Sequence, residues 1–179
     1  MDRRCFARTM MMGAVGIGAS LVVDGDAVMA QAMRPGMMPM GPVERRHVMD
    51  TLEIGGVSLQ SSRLALSRAR RPLVRQFADF EAEEATTVAQ VLGEISGMGP
   101  PPPSPADRRA LDRLNATRGA GFEREYLVAQ LDGHQRLLAV QDRYLAAGRN
   151  MHHRHIALLA RGRIREHIRE LQLIQNARL

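Results

Sequence analysis

The stretch that most constrains the fold runs from Phe122 to about Ala147, where apolar residues return at helical spacing. Advancing about 100° per residue, the side chains of Phe122, Tyr126, Leu127, Ala129, Leu131, Leu137, Leu138, Val140, Tyr144 and Leu145 fall on one broad arc. An arc that wide faces a core. Inside it, and not on the solvent side, stand Glu123, Gln130, His134 and Gln141, spaced seven, four and seven residues apart. They form a polar line down a hydrophobic face. Polar groups withdrawn from water need partners, so other elements must bring polar groups to meet this helix.

Three further long helices are expected. The first spans about Glu44 to Arg71, with Val48, Leu52, Leu59 and Leu66 on one side and Gly55-Gly56 weakening it. Pro72 interrupts and can open the next helix, to about Ser96. On that helix Leu73, Val74, Phe77, Phe80, Val88, Val91, Leu92 and Ile95 share a face that also holds Glu81 and Glu84. The polyproline run Pro100 to Pro103 makes a stiff crossover. Ser104-Pro105-Ala106-Asp107 then starts a short helix to about Asn115, with Ser104 as N-cap. Gly119 and Gly121 release the chain before the helix at Phe122. After it, Gly148 is a C-cap residue and Asn150 caps a last helix to about Ala177. There Ile156, Ala160, Ile164, Leu171 and Ile174 share an arc with His167. The fold class expected is all-α: a four-helix bundle with a short extra helix in the long crossover between its second and third helices.

Aromatic residues make up only 3% of the 179 residues and Trp is absent, so aliphatic side chains must fill the core. The formal net charge is +6, and all basic residues are arginine. Arg63, Arg68, Arg70, Arg71 and Arg75 form the densest basic run. Without stacking aromatics beside it, no nucleic acid partner is expected. A solvated face or contact with an anionic membrane surface accounts for it; peripheral membrane association and homo-oligomerisation both stay open.

Residues 1–30 read as a cleavable export signal of twin-arginine type: Arg3-Arg4 precede Cys5-Phe6, and a weakly apolar run follows from Thr9 to Val23. Cleavage is expected after Ala30 or Ala32, which places the protein in the periplasm; an uncleaved anchor is the alternative. Cys5 is the sole cysteine and leaves with the signal, which removes disulfide, thiolate-metal and Cys-nucleophile chemistry. Residues 31–43 form a tether rich in Met, Pro and Gly, and residues 44–179 the bundle domain. Met33, Met37, Met38 and Met40 in the tether carry soft thioethers suited to Cu(I).

Bundle cores hold metals with residues from facing helices, and the di-iron pattern requires two Glu and two Glu-x-x-His pairs. This chain lacks that set. A single divalent transition metal held by Glu84, His134 and His167 fits the residue types, since carboxylate with imidazole suits Zn, Fe or Cu. The alternative is a hydrogen-bonded core network of Gln130, His134 and the Glu residues that fixes helix register, with no cofactor. His152, His153 and His155 form a second histidine cluster, pointing different ways on a helix. No nucleophile elbow, P-loop, dinucleotide fingerprint or His-Glu-x-x-His signature is present, so the chain reads as a binding or stress-protective protein rather than an enzyme.

Leu73-Val74-Arg75-Gln76-Phe77-Ala78, then Gly121-Phe122-Glu123-Arg124-Glu125-Tyr126 with Gln130 and His134, and finally His167, resemble the domain-of-unknown-function family 4142. The resemblance covers about residues 50 to 175. It implies a ferritin-like helical bundle behind an export signal, in the cell envelope, with no assigned activity. Two departures bear on ligands. The family commonly has an Asp-His pair where this chain reads Glu84-Ala85, and a Glu in the first helix near Gln60.

Overall fold

The computed structural model describes residues 40–177, so the expected export segment and all but the end of the Met-rich tether lie outside the described residues. Within them the chain is all-α: α1 (Pro42–Arg68), α2 (Pro72–Ser96), α3 (Pro105–Ala116), α4 (Gly119–Ala147) and α5 (Met151–Asn176), with no strand. None of these helices is long and apolar enough to cross a membrane.

Prolines open α1, α2 and α3 within their first turn, where a missing N–H costs nothing. The expected extension of α1 to Arg71 is cut at Arg68. Pro72 disfavours helical backbone at Arg71, which adopts φ −70° and ψ 125°. The N–H groups freed there are taken by Glu123 Oε1, which accepts from Arg70 and Arg71 at 2.5 and 3.0 Å. At the other end of α2, Gly97 takes a left-handed φ of 69°, the conformation that favours glycine at a helix stop.

Ser104 caps α3 as expected: its Oγ accepts from Asp107 N at 3.2 Å and donates to Asp107 Oδ2 at 2.7 Å. The Ser104 N–H, which a Glu at the Asp107 position would normally take, goes instead to Glu53 Oε1 on α1 at 3.1 Å. Helix α4 starts at Gly119 and so absorbs residues expected to be loop. Gly148 follows α4 in extended backbone, not left-handed. Its lack of a side chain serves close approach, because a Cβ there would collide with the Tyr144 ring. Asn150 Oδ1 caps α5 by accepting from His152 N and His153 N at 3.0 and 3.3 Å.

Three-residue turns join α1 to α2 and α4 to α5, so the members of each pair run antiparallel. Side-chain bonds fix α1 against α4. As the α4 position advances through Glu123, Tyr126, Gln130, Gln141 and Tyr144, its partner retreats through Arg70, Ser62, Ser58, Thr51 and Glu44. These two helices are therefore antiparallel, and α2 and α4 run the same way. Parallel neighbours need a long connection, which residues 97–118 supply with α3 in it. α1 packs chiefly on α2 and α4, and α5 on α4, whereas α2 and α5 touch only lightly.

The apolar core forms three clusters. One gathers Phe77, Leu114, Phe122, Tyr126 and Leu171. A second joins Ile54, Leu137, Val140 and Ile164, and a third Val48, Leu52 and Leu92. Polar side chains separate them. The buried face of α2 is rotated from the expected one: Val74, Phe77, Ala78, Glu81 and Leu92 face inward, while Leu73, Phe80 and Val91 are 49%, 45% and 36% exposed.

Candidate metal centre

All four members of the polar line on α4 are buried, and each has a partner on another element. Glu123 takes the turn before α2. Gln130 Nε2 lies 2.9 and 3.1 Å from Ser61 and Ser62 Oγ. Gln141 Nε2 donates to Thr51 Oγ1 at 3.1 Å, and its Oε1 meets His47 Nε2 at 2.7 Å. His134 meets Glu81 on α2 and His167 on α5.

Glu81, His134 and His167 are 4%, 2% and 2% exposed, and they converge. Glu81 Oε2 stands 3.1 Å from His134 Nε2 and 3.0 Å from His167 Nδ1, and the two nitrogens are 3.1 Å apart. Three basic atoms in so small a triangle repel unless a positive charge lies among them, either protons or a metal ion. An ion about 2.0–2.1 Å from each, as for Zn bound by N and O, would stand about 1 Å off their plane.

The surroundings suit both cases. His134 Nδ1 lies 2.8 Å from the Gln130 carbonyl oxygen, which can only accept, so Nδ1 carries the proton and Nε2 is left to face the triangle. A ring nitrogen tied in this way is the usual outer contact of a metal-bound histidine. Ser58 Oγ sits 2.5 Å from Glu81 Oε1 and 2.7 Å from Gln130 Oε1, and its one proton serves the charged acceptor. Phe77 packs against both imidazoles, with ring centroids 6.0 Å from His134 and 5.3 Å from His167. Burial pushes the Glu81 carboxyl up, but hydrogen bonds from His134 and His167 outweigh it and hold it down at about 2. Burial likewise pushes His134 down, and the Glu81 hydrogen bond and charge carry it above the ordinary histidine value.

Of the three residues expected from the sequence, His134 and His167 come together and Glu84 stands aside. Its Oε2 accepts from Arg163 Nε at 3.0 Å and lies 3.6 Å from His167 Nε2, the ring nitrogen that points away from the triangle. Glu81 takes the inner place because it follows Val74 and Ala78 at helical spacing on the buried row, whereas Glu84 lies at that row's edge. That the inner face of α2 holds both carboxylates was legible in the sequence, but not which of them lies inside. Ser58, Ser61 and Ser62 were not, because small hydroxyl side chains read as a solvent face.

Of the second histidine cluster, only His153 is buried; His152 and His155 are exposed. His153 meets His47 instead, with ring centroids 6.0 Å apart, and His47 stacks on Tyr144 at 4.2 Å. Burial holds both His47 and His153 below the ordinary histidine value. Met33, Met37 and Met38 lie outside the described residues, and Met40 packs against the Val48, Leu52 and Leu92 cluster.

A family model, Domain of unknown function (DUF4142), matches residues 28–174. The chain belongs to this family. The match takes in all of α1 to α4 and nearly all of α5, so every residue of the DUF4142 centre described above falls within it. No curated protein and no solved structure matches the chain.

Proposed function

We propose that this DUF4142 protein is an exported cell-envelope protein whose helical core binds one divalent transition-metal ion on Glu81, His134 and His167, without being a catalyst. The observation that carries it is the triangle itself: three buried ligand atoms from three helices at mutual distances of 3.0–3.1 Å. Two imidazoles and a carboxylate suit Zn, Fe or Cu. A ferritin-like four-helix bundle is the architecture proposed around it. Parallel α2 and α4 and a single long crossover support that reading, because bundles of this connectivity hold metals between facing helices. Periplasmic placement rests on Arg3-Arg4 and the apolar run that follows.

A second reading is favoured by the bonds themselves, since Ser58, Glu81, His134 and His167 satisfy one another without an ion. In that case the cluster is a register device between helices. Metal analysis of protein purified without a His tag separates the two. Metal binding predicts one equivalent of Zn, Fe or Cu and a rise in Tm on adding it, worth about 2.7 kcal/mol at a hundredfold excess over Kd. Glu81→Gln and His134→Gln should abolish that rise, and Glu84→Gln should keep it. Substoichiometric metal with no Tm shift would leave the network reading alone.

A further inference from the structure

Beside the triangle lies a cavity of about 70 Å³. Glu81 and His134 form part of its wall, and most of the rest is apolar: Leu52, Gly55 and Gly56 of α1, Ala85 and Val88 of α2, and Ala160 of α5. Other groups pack against the rest of the triangle: Ser58 covers Glu81 Oε1, and Phe77 packs against both imidazoles. The cavity gives a further ligand room beside Glu81 and His134.

Gly55 and Gly56 make that wall. Two consecutive glycines inside a 27-residue helix work against it, each by about 1 kcal/mol relative to Ala. Neither needs a positive φ, and neither is forced by close packing, because a Cβ on either would meet nothing within 4 Å. What their missing side chains leave is space next to Glu81 and His134.

Size and charge narrow the occupant. Sites for drug-sized molecules run to about 300–1,000 Å³, so 70 Å³ admits only a molecule of a few heavy atoms. An anion would be desolvated against apolar walls while facing Glu84, a second carboxylate in the lining. Two histidines and one carboxylate on one face of an ion, with the opposite face open, is the ligand set of Fe(II) sites that take small gases.

We infer that the cavity is a binding pocket for an uncharged diatomic molecule, held on an Fe(II) ion by Glu81, His134 and His167; it rests on the metal-binding reading. Binding is reversible and transfers no electron or group.

The test loads the full chain with Fe(II) under anaerobic conditions, adds nitric oxide, and records the half-integer-spin iron–nitrosyl signal by EPR. Gly56→Leu and Ala85→Leu, which fill the cavity from two different helices, should weaken nitric oxide binding at least about tenfold while leaving iron affinity within about twofold. Circular dichroism confirms that each variant is folded, and either variant alone suffices. Iron binding without a nitrosyl signal, a signal equally strong in both filled variants, or an adduct with azide but not nitric oxide would overturn the inference and leave the metal site standing. Failure to bind iron while Zn or Cu binds would likewise overturn the inference alone, and failure to bind any of the three metals would overturn both.

Discussion

At the scale of single residues, what decides a side chain's role is how completely its neighbours remove it from water. Glu81 and Glu84 are three residues apart on one helix, yet one is buried between two imidazoles and the other shares an exposed arginine. Asp107 offers a test in the same terms. It receives Arg136 Nη1 and Nη2 at 2.6 and 3.0 Å, and that guanidinium holds its carboxyl below the usual range. A carboxyl with a depressed folded pKa stabilises the fold above its unfolded value, about 3.9, and loses that contribution as pH falls through the folded value. Arg136 is partly exposed, so the pair is worth about 1 kcal/mol at neutral pH. Asp107→Asn should cost that much in urea unfolding at pH 7, and the difference from the unsubstituted chain should shrink as pH falls from about 5 to about 2. A pH-independent difference would show that the charge is not what matters.

At the scale of elements, the polar line of α4 works as a zipper against α1. Its members stand at positions where a one-turn slip would put apolar residues in place of two of the three serines around Gln130, at about 1–3 kcal/mol for each polar group left unsatisfied. The turn between α1 and α2 depends on one tooth of this zipper. Glu123→Ala removes the acceptor for two backbone N–H groups and should destabilise the chain by about 1–3 kcal/mol in chemical denaturation, with faster amide hydrogen exchange at Arg70 and Arg71. Glu123→Gln keeps an acceptor oxygen and should recover part of the loss. Unchanged exchange at those amides in Glu123→Ala would show that Pro72 alone holds the turn.

At the scale of the whole molecule, two antiparallel helix pairs are joined by one long crossover, and their apolar clusters meet a polar layer in which the candidate metal centre sits. A metal bound there would tie α2, α4 and α5 together, and this is where a rise in Tm on metal addition would arise. The proposed export makes the protein's location depend on residues 1–30. Replacing Arg3 and Arg4 with Lys should strand the precursor in the cytoplasm, visible as unprocessed chain in cell fractions. Normal processing and export of that variant would remove twin-arginine dependence.

The amino-acid sequence by itself determined the helices, because their signals are local. Period 3.6, Pro72 and Pro105 at helix starts, and Ser104 and Asn150 as caps each act within a turn of the residue concerned. It also showed that Glu123, Gln130, His134 and Gln141 needed partners. Which partners they found was decided only by the tertiary structure. A few tens of degrees of rotation about α2, invisible in a periodic pattern, exchanged Glu84 for Glu81 at the centre and turned Leu73, Phe80 and Val91 toward solvent. The serines of α1 gave no hydrophobic signal, and His47 found His153 across more than a hundred residues of chain. Facing relations of this kind depend on how the helices rotate and settle together, and no single helix encodes them.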